Sequence, residues 1–179
     1  MPPFRKVEET ELYRGSLIRV AQAVFEDPAG HRFERDVVHH PGAVVVVPLL
    51  DRETVIMVRQ FRAAIGAELL EVPAGKRDVH GEATEVTAQR ELAEEIGRRA
   101  GRLELLARFY NSPGFCDEFT WLYMARDLEP VPVDRQGAEE QYMTVEEIKL
   151  AAVADLIATG EIVDAKSIIG LCLASGRAS

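Results

Sequence analysis

Three glutamates are spaced so that one helix would present them on a single side. Glu91, Glu94 and Glu95 follow residues 83–90, a stretch without proline or glycine. Because an α-helix turns about 100° per residue, the three carboxylates fall within a wedge of roughly 100°. Like charges at this spacing repel each other, so a cation is expected among them. Oxygen ligands without His or Cys suit Mg²⁺ or Mn²⁺ rather than Zn²⁺.

The same segment carries an apolar stripe and a counter-ion. Ala88, Leu92 and Ile96 recur at helical spacing, with Val86 at the border of the stripe. This pattern predicts that one side of the helix packs on a sheet. Arg90 precedes the glutamates, where its guanidinium would brace one of them. A solvated acidic face is the alternative interpretation, but the glycine loop before the helix and the glycine that ends it favour a site.

The elements that must position this helix are mostly strands. Branched and apolar runs predict strands at residues 16–25, 32–39, 43–47, 54–60, 69–72, 103–110, 119–125 and 141–148. Good helix formers bounded by glycine predict helices at residues 83–96, 149–159 and 165–174. Turn residues 27–30 join the first two strands into a hairpin. The order predicts an α+β fold, an α/β/α sandwich around a mixed sheet with an N-terminal antiparallel β subdomain.

Composition limits the classes of protein to which the chain can belong. Of its 179 residues, 47% are hydrophobic and 28% are charged, which is typical of a globular domain. The 30 acidic and 21 basic residues give a formal net charge of −9, so neither a nucleic-acid partner nor a membrane partner is expected. Apolar runs are too short for a membrane span, and the N-terminus does not resemble a signal peptide. With two cysteines that are expected to be reduced, these features predict a cytoplasmic protein.

The acidic helix and the loop before it resemble the signature of the Nudix hydrolases. The matching positions are Gly75, Glu82, Arg90, Glu91, Leu92, Glu94, Glu95 and Gly97. Six residues separate the glycine from the first glutamate, one more than in the general family pattern, and Arg98 stands where the family expects an apolar residue. The resemblance implies metal-dependent cleavage of a nucleoside diphosphate that is linked to another group.

Three further motifs resemble the ADP-ribose pyrophosphatase branch of this family. They are Arg59-Gln60-Phe61-Arg62, Glu71-Val72-Pro73-Ala74-Gly75 and Ser112-Pro113-Gly114-Phe115-Cys116-Asp117-Glu118. The resemblance extends over about residues 35–160 and implies hydrolysis of ADP-ribose to AMP and ribose 5-phosphate. It divides the chain into a hairpin subdomain, residues 1–40, and a Nudix domain, residues 41–179. In this branch the hairpin exchanges with a partner, which implies a homodimer.

The resemblance also implies a set of metal ligands. Glu91 and Glu95 are expected to be the principal ligands, with Glu94 in support and the carbonyl of Ala74 completing the shell. Glu82 is expected either to bind the metal through water or to cap the start of the helix. The expected ion is Mg²⁺, with Mn²⁺ as the alternative.

Catalytic and substrate-binding residues are implied in the same way. Glu95 is expected to serve catalysis, and a glutamate before the last strand is expected to position or deprotonate the attacking water. Glu140 is the first choice and Glu139 the second; relatives often have an acidic residue at the position of Gln141. The residues expected to hold the ribose and phosphates are Arg35, Arg59, Arg62, Lys76, Ser112, Pro113, Gly114 and Glu118.

Other functions remain open from the sequence. Enzymes acting on GDP-mannose and other nucleoside diphosphate sugars have a similar Ser-Pro-Gly loop, and Lys76 replaces a residue that is often apolar in the branch. A nucleotide-sugar sensor without turnover would keep the same fold, but the intact signature glutamates argue against it. The Ser-Pro-Gly loop also makes a nucleoside triphosphate hydrolase less favoured.

Overall fold

A computed structural model describes residues 3–135, 137 and 139–177. The chain forms two compact units. The first contains residues 1–42 and 109–120, and the second contains residues 43–108 and 121–179. Strands and helices are both present, and the α+β class predicted from the sequence is confirmed. No helix in the described part of the chain is long and apolar enough to cross a membrane.

The first unit is built on a three-stranded antiparallel sheet. Its strands are β1 (Arg5–Arg14), β2 (Arg19–Glu26) and β3 (Arg32–His39), in the order β1-β2-β3. The predicted hairpin of β2 and β3 is confirmed. Its turn is closed by Asp27, whose side chain accepts hydrogen bonds from the backbone of Ala29 and His31. Strand β1 was not predicted, because most of its side chains are exposed and it lacks an apolar alternation.

Among the described residues, the second unit contains two sheets and three α-helices. Its strands are β4 (Ala43–Pro48), β5 (Thr54–Arg62), β6 (Ala67–Glu71), β7 (Ala74–Lys76), β8 (Arg98–Tyr110), β9 (Phe119–Pro130) and β10 (Thr144–Lys149). The helices are α1 (Thr84–Ile96), α2 (Val153–Ala158) and α3 (Ala165–Ser175). One sheet has the order β7-β4-β9-β8 and the other β10-β5-β6. Residues 109–110 of β8 and 119–120 of β9 belong to the first unit.

Helix α1 packs on the core through the predicted stripe. Ala88 and Leu92 are fully buried, and Ile96 is nearly so, in a cluster with valines of β4 and β5. Burying a leucine side chain stabilises the fold by about 1.5–3 kcal/mol, so this stripe anchors the helix. Val86, which the helical spacing sets beyond Ala88, Leu92 and Ile96, is exposed, and the buried face includes Thr87.

The chain around β10 differs from the predicted elements. A short 3₁₀ helix, Glu140–Tyr142, occupies the start of the predicted strand, so that β10 begins at Thr144. The Glu140 side chain accepts a hydrogen bond from the backbone of Gly137 and holds this turn. The predicted helix at residues 149–159 is a 3₁₀ turn, Leu150–Ala152, followed by α2. The last predicted helix is confirmed as α3.

Candidate active site

The short strand β7 brings backbone groups against helix α1. Ala74 and Gly75 pair with Val45 and Val44 of the buried strand β4. The backbone N–H of Ala74 donates a hydrogen bond of 3.2 Å to Oε2 of Glu95. The predicted extended piece at residues 69–72 ends with β6 at Glu71, and the chain then enters the other sheet as β7. The pairing of β7 with β4 fixes the position of the Ala74 carbonyl.

Gly75 is required because a signature glutamate lies directly against its backbone. A Cβ atom at Gly75 would lie 1.8 Å from both the carboxyl carbon and Oε1 of Glu91. These distances are far shorter than van der Waals contacts, so any other residue would displace the Glu91 carboxylate. The presence of glycine at this position of the motif therefore has a steric explanation.

The carboxylates of Glu91 and Glu95 are buried away from solvent. Their residues are 6% and 3% exposed. Burial first, and the neighbouring charge of Glu91 second, raise the pKa of Glu95 to about 8. Burial also raises the pKa of Glu91 to about 7, although the guanidinium of Arg90 opposes this shift. Two like charges held close together with little water would be stabilised by a cation between or beside them.

Arg90 provides part of that positive charge. Its Nη1 lies 2.9 Å from Oε1 of Glu91 and 3.0 Å from Oε2 of Glu94. Its Nη2 lies 3.7 Å from Oε2 of Glu82. The predicted bracing role of Arg90 is confirmed, and the arginine gathers three of the signature glutamates around one guanidinium.

Glu82 does not cap helix α1, and the cap predicted as one of its two roles is wrong. The N-cap residue is Ala83, and no side-chain cap hydrogen bond is found there among the described residues. The Glu82 carboxylate instead accepts a hydrogen bond of 2.7 Å from the hydroxyl of Thr87, one turn into the helix. The binding of a metal through water remains a prediction for this residue.

The donor chemistry of the cluster fits a hard divalent cation. Glu91, Glu94 and Glu95 supply carboxylate oxygens, and the backbone of Ala74 supplies a carbonyl oxygen, as Mg²⁺ and Mn²⁺ prefer. Within the described ranges, no group of three or more His, Cys, Asp or Glu side chains is arranged as a ready-made metal site. Arg90 and the N–H of Ala74 hold these oxygens here. The set of metal ligands therefore stays a prediction that the donor types and their burial support.

Glu140 lies within electrostatic reach of the buried pair. Its charge is among those that raise the pKa values of Glu91 and Glu95. One carboxylate oxygen of Glu140 accepts a hydrogen bond of 3.0 Å from the backbone of Gly137, which orients the side chain. Glu139 is exposed at the start of the same turn. These observations support Glu140 over Glu139. That one of the two acts on water stays a prediction.

The two arginines of strand β5 have different environments. Arg62 forms a bidentate ion pair with Glu71, with Nε 2.9 Å from Oε1 and Nη2 2.5 Å from Oε2. That pairing raises the pKa of Arg62, and the charge of Glu95 adds to the effect, so Arg62 lies in the field of the candidate site. Arg59 is held instead by Glu146 at 2.7 Å and Glu161 at 2.6 Å. Its predicted contact with substrate would require these ion pairs to open.

Lys76, the remaining candidate of the second unit, lies at the end of β7. Its backbone is aligned with that of Ala43, and its side chain is exposed. This exposure is compatible with the predicted contact to a substrate, but nothing in the structure assigns Lys76 a partner.

The other predicted substrate residues belong to the first unit. The Ser-Pro-Gly loop forms a turn in which the carbonyl of Ser112 accepts hydrogen bonds from the backbone of Phe115 and Cys116. The loop is joined to β3, because the backbone of Val38 exchanges hydrogen bonds with Phe115 and Asp117. The loop residues Pro113, Gly114 and Glu118 lie in or beside this turn. Arg35 lies on β3, with its guanidinium carbon 4.7 Å from the ring centre of Phe33.

Sequence analysis missed one contact that holds this loop. The Nδ1 atom of His39 lies 2.6 Å from Oδ2 of Asp117, and the backbone N–H of His40 donates to the other oxygen. The residues are 78 positions apart, so no local spacing could have joined them. The position of Asp117 inside the loop motif was the one available signal.

The chain is similar to known proteins over most of its length. The NUDIX domain family matches residues 39–165. The chain is 36% identical over 163 residues to an ADP-ribose pyrophosphatase of Bacillus subtilis, a match that covers 91% of this chain and 88% of the relative. It is 35% identical to an ADP-ribose pyrophosphatase of Mycobacterium tuberculosis, with 94% of this chain and 81% of the relative covered.

Other relatives carry different names. A methanol dehydrogenase activator of Bacillus methanolicus is 32% identical, over 93% of this chain and 90% of the relative. A GDP-mannose pyrophosphatase of an Enterobacter species is 30% identical, over 72% of this chain and 70% of the relative.

A solved structure agrees with the fold. The crystal structure of an ADP compounds hydrolase superposes with a TM-score of 0.86 and covers 99% of this chain and 95% of that chain. At 22% identity, this likeness shows the fold alone. The family match over residues 39–165 and the identity of 35–36% with two relatives that are covered over 81–88% of their length agree with the signature around Glu91. The chain therefore belongs to the NUDIX domain family.

Proposed function

We propose that this protein is a Nudix hydrolase that cleaves the pyrophosphate bond of ADP-ribose, giving AMP and ribose 5-phosphate. The observation that carries the proposal is the buried pair Glu91 and Glu95 beside Gly75, with Glu140 in electrostatic reach. Two of the relatives that match most of the chain are named ADP-ribose pyrophosphatases, which supports this substrate.

The chemistry requires that negative charge on the two phosphates be neutralised while water attacks one phosphorus atom and the bridging oxygen leaves. A bound Mg²⁺ or Mn²⁺ would neutralise phosphate charge and lower the pKa of a water molecule. Glu91, Glu95 and the carbonyl of Ala74 would hold that ion, with support from Glu94 and Glu82. Arg90 orients the carboxylates of Glu91 and Glu94 and limits their repulsion.

Glu140 would orient the attacking water and accept its proton. The hydrogen bond of 3.0 Å from the backbone of Gly137 orients this carboxylate. Arg62 would contact a substrate phosphate through the part of its guanidinium that Glu71 does not occupy. The remaining substrate contacts assigned by resemblance, including Arg59, Arg35 and the Ser-Pro-Gly loop, belong to the same proposal.

A GDP sugar is the second candidate substrate. The GDP-mannose pyrophosphatase relative supports it, although it covers less of the chain than the ADP-ribose pyrophosphatases do. The metal ligands and the attack by water would be the same for both substrates. The difference would lie in the residues that contact the base and the sugar.

The test is phosphate release from a substrate panel in the presence of Mg²⁺ or Mn²⁺, with alkaline phosphatase as the coupling enzyme. The panel contains ADP-ribose, GDP-mannose, UDP-glucose, NADH, diadenosine polyphosphates and dGTP. We expect ADP-ribose to have the highest kcat/KM. We also expect EDTA to abolish the formation of AMP when AMP is measured by chromatography without the coupling enzyme, which EDTA would itself inactivate. A higher value for GDP-mannose would keep the mechanism and replace the substrate. Binding of ADP-ribose without turnover of any compound would indicate a sensor.

The proposal also includes the cellular setting and the assembly. We place the protein in the cytoplasm, where the thiols of Cys116 and Cys172, both free in the described part of the chain, would stay reduced. We propose a homodimer formed through the N-terminal strands, as the branch resemblance implies.

A further inference from the structure

A ring of hydrogen bonds connects Glu71, the ion-pair partner of Arg62, to the start of helix α3. Lys166 Nζ contacts Oε2 of Glu71 at 2.5 Å and Oδ2 of Asp164 at 2.9 Å. The hydroxyl of Ser167 donates to the same oxygen of Asp164 at 2.6 Å. The backbone N–H of Val72, the residue after Glu71, donates to that hydroxyl at 2.9 Å and closes the ring.

This ring joins helix α3 to the segment that enters the candidate active site. Ser167 is fully buried and Glu71 is 1% exposed. The segment continues from Val72 to Ala74, whose backbone N–H donates to Glu95. None of the family motifs contains Lys166, Asp164 or Ser167, so the signature does not account for this network.

The charges in the network balance. Glu71 and Asp164 are each negative, and Arg62 and Lys166 are each positive. Glu71 binds both cations, since Arg62 occupies its two oxygens and Lys166 shares one of them. Without Lys166, three charged groups would remain with a net charge of −1, close to a guanidinium that also lies in the field of Glu95.

Arg62 still has capacity for an anion. Its Nε and Nη2 are used by Glu71, whereas no hydrogen bond from its Nη1 is found among the described residues. Its side chain keeps 37% of its surface exposed. A guanidinium with a free edge binds phosphate oxygens well, provided that nearby carboxylates do not cancel its charge.

We infer that Lys166 is a positioning residue that balances one of the two carboxylate charges of Glu71 and Asp164, so that the guanidinium of Arg62 meets a pyrophosphate group without a net negative charge beside it. This inference rests on the proposed function, in which Arg62 contacts a substrate phosphate. Lys166 acts through Glu71 and Arg62 and does not itself touch the substrate. The lysine therefore supports substrate affinity more than the rate of the chemical step.

The experiment compares K166M and K166R with S167A. K166M removes the charge, K166R keeps it, and S167A opens the same ring without changing any charge. We expect K166M to raise the KM for ADP-ribose about tenfold, the size of a partly screened interaction between charges. Its kcat should stay within about threefold of the wild-type value, because the metal ligands and Glu140 are unchanged. K166R should have a KM close to the wild-type value. S167A should lower Tm but leave KM within about twofold of the wild-type value.

The salt dependence of KM tests whether Lys166 acts through its charge. A purely structural role would give a ratio of KM that does not depend on salt. The ratio of KM between K166M and wild type should shrink as ionic strength rises, because salt screens a partly exposed charge. If K166M does not fold, K166Q provides the same loss of charge. Equal increases of KM in S167A and K166M, or a ratio that salt does not change, would overturn the inference.

Binding of inorganic pyrophosphate separates this inference from the proposed function. Calorimetry with Mg²⁺ and pyrophosphate should show weaker binding to K166M than to wild type or S167A. If wild type fails to hydrolyse ADP-ribose but this difference is present, the proposed substrate is wrong and the inference about Lys166 stands. Equal affinities of K166M and wild type would refute the inference whatever the substrate.

Discussion

At the residue scale, the candidate site depends on carboxylates whose surroundings disfavour their ionised form. Glu91 and Glu95 are buried, and each adds to the cost of charging the other. Ordinary surface glutamates have pKa values near 4.3 and need no compensating cation. The burial of this pair thus excludes the solvated acidic face that the sequence also allowed, and it supports the proposed metal site.

The first prediction concerns Glu95. Replacing it by Gln should lower kcat at least about 100-fold, because a lost metal ligand removes several kcal/mol of stabilisation of the transition state. Steady-state phosphate release from ADP-ribose measures the change. Glu85→Gln is the matched control, since Glu85 lies on the same helix but is exposed at its start. Similar losses in both variants would show that the helix is merely disturbed.

The second prediction separates Glu140 from Glu139. Glu140→Gln should lower kcat by about 100-fold or more, the usual contribution of a general base, whereas Glu139→Gln should change it less than threefold. The physical reason is the electrostatic contact of Glu140 with Glu91 and Glu95. Measurement of kcat for both variants shows which of the two glutamates acts on the water. A larger loss of kcat in Glu139→Gln than in Glu140→Gln would reverse the assignment.

At the element scale, the contact between β7 and α1 is the decisive arrangement. Strand pairing with β4 fixes Ala74 and Gly75, and the apolar stripe of α1 fixes the glutamates opposite them. Helix α1 ends at Gly97, which has a φ of 61° in the left-handed region that favours glycine. Glycine is therefore required at both ends of the signature, at Gly75 by the close approach of Glu91 and at Gly97 by the left-handed backbone. The residues between these glycines supply the carboxylates.

The third prediction tests this contact with Gly75→Ala. The added Cβ would overlap the Glu91 carboxylate, which is the end of a flexible side chain and can move away. We expect the protein to fold, while its affinity for Mg²⁺ falls by about 10-fold to 100-fold, as when the support of a metal ligand is lost. Calorimetric titration with Mg²⁺ measures this change. Gly176→Ala, where the added Cβ has only ordinary contacts, should bind Mg²⁺ like wild type.

At the scale of the whole molecule, the buried pair couples metal binding to stability. The folded, metal-free protein retains protons on Glu91 and Glu95 up to pH values of about 7 and 8, whereas the unfolded chain loses them near 4.5. These raised pKa values favour the folded state at low pH. The benefit is lost as pH rises from about 4.5 to about 8.

The fourth prediction follows from that coupling. In EDTA, the free energy of unfolding from urea denaturation should fall between pH 5 and pH 8 by on the order of a few kcal/mol. Added Mg²⁺ should restore stability most strongly at pH 8, where the carboxylates are ionised. The double variant Glu91→Gln, Glu95→Gln is the control and should lose less stability over this range. A wild-type slope equal to that of the control would contradict the assigned pKa shifts.

The fifth prediction concerns assembly. If the N-terminal strands exchange between copies, sedimentation at micromolar concentration should give a species of about 40 kDa, twice the 19.9 kDa of one chain. Removal of residues 1–40 should abolish that species. A wild-type species of about 20 kDa, close to the mass of one chain, would remove the shared-hairpin proposal.

Several features of the protein could be predicted from the sequence because they depend on neighbours along the chain. Helix α1, its apolar stripe and its ion pairs with Arg90 follow from spacing within four turns, and the turn at Asp27 follows from local turn chemistry. The resemblance to the Nudix family rests on the same local spacing. The predicted strand at residues 141–148 began too early, because a side-chain contact from Glu140 to Gly137 overrode the apolar pattern.

Only the tertiary structure decided which distant residues meet. Arg59 pairs with Glu161 and Lys166 pairs with Glu71 across 102 and 95 positions of the chain. The sequence by itself determined the family signature and the metal-binding chemistry expected of its glutamates, but it contained no measure of their burial. Burial and long-range ion pairing arise when the sheets and helices pack, and these two effects set the pKa values and the charge that a substrate would meet.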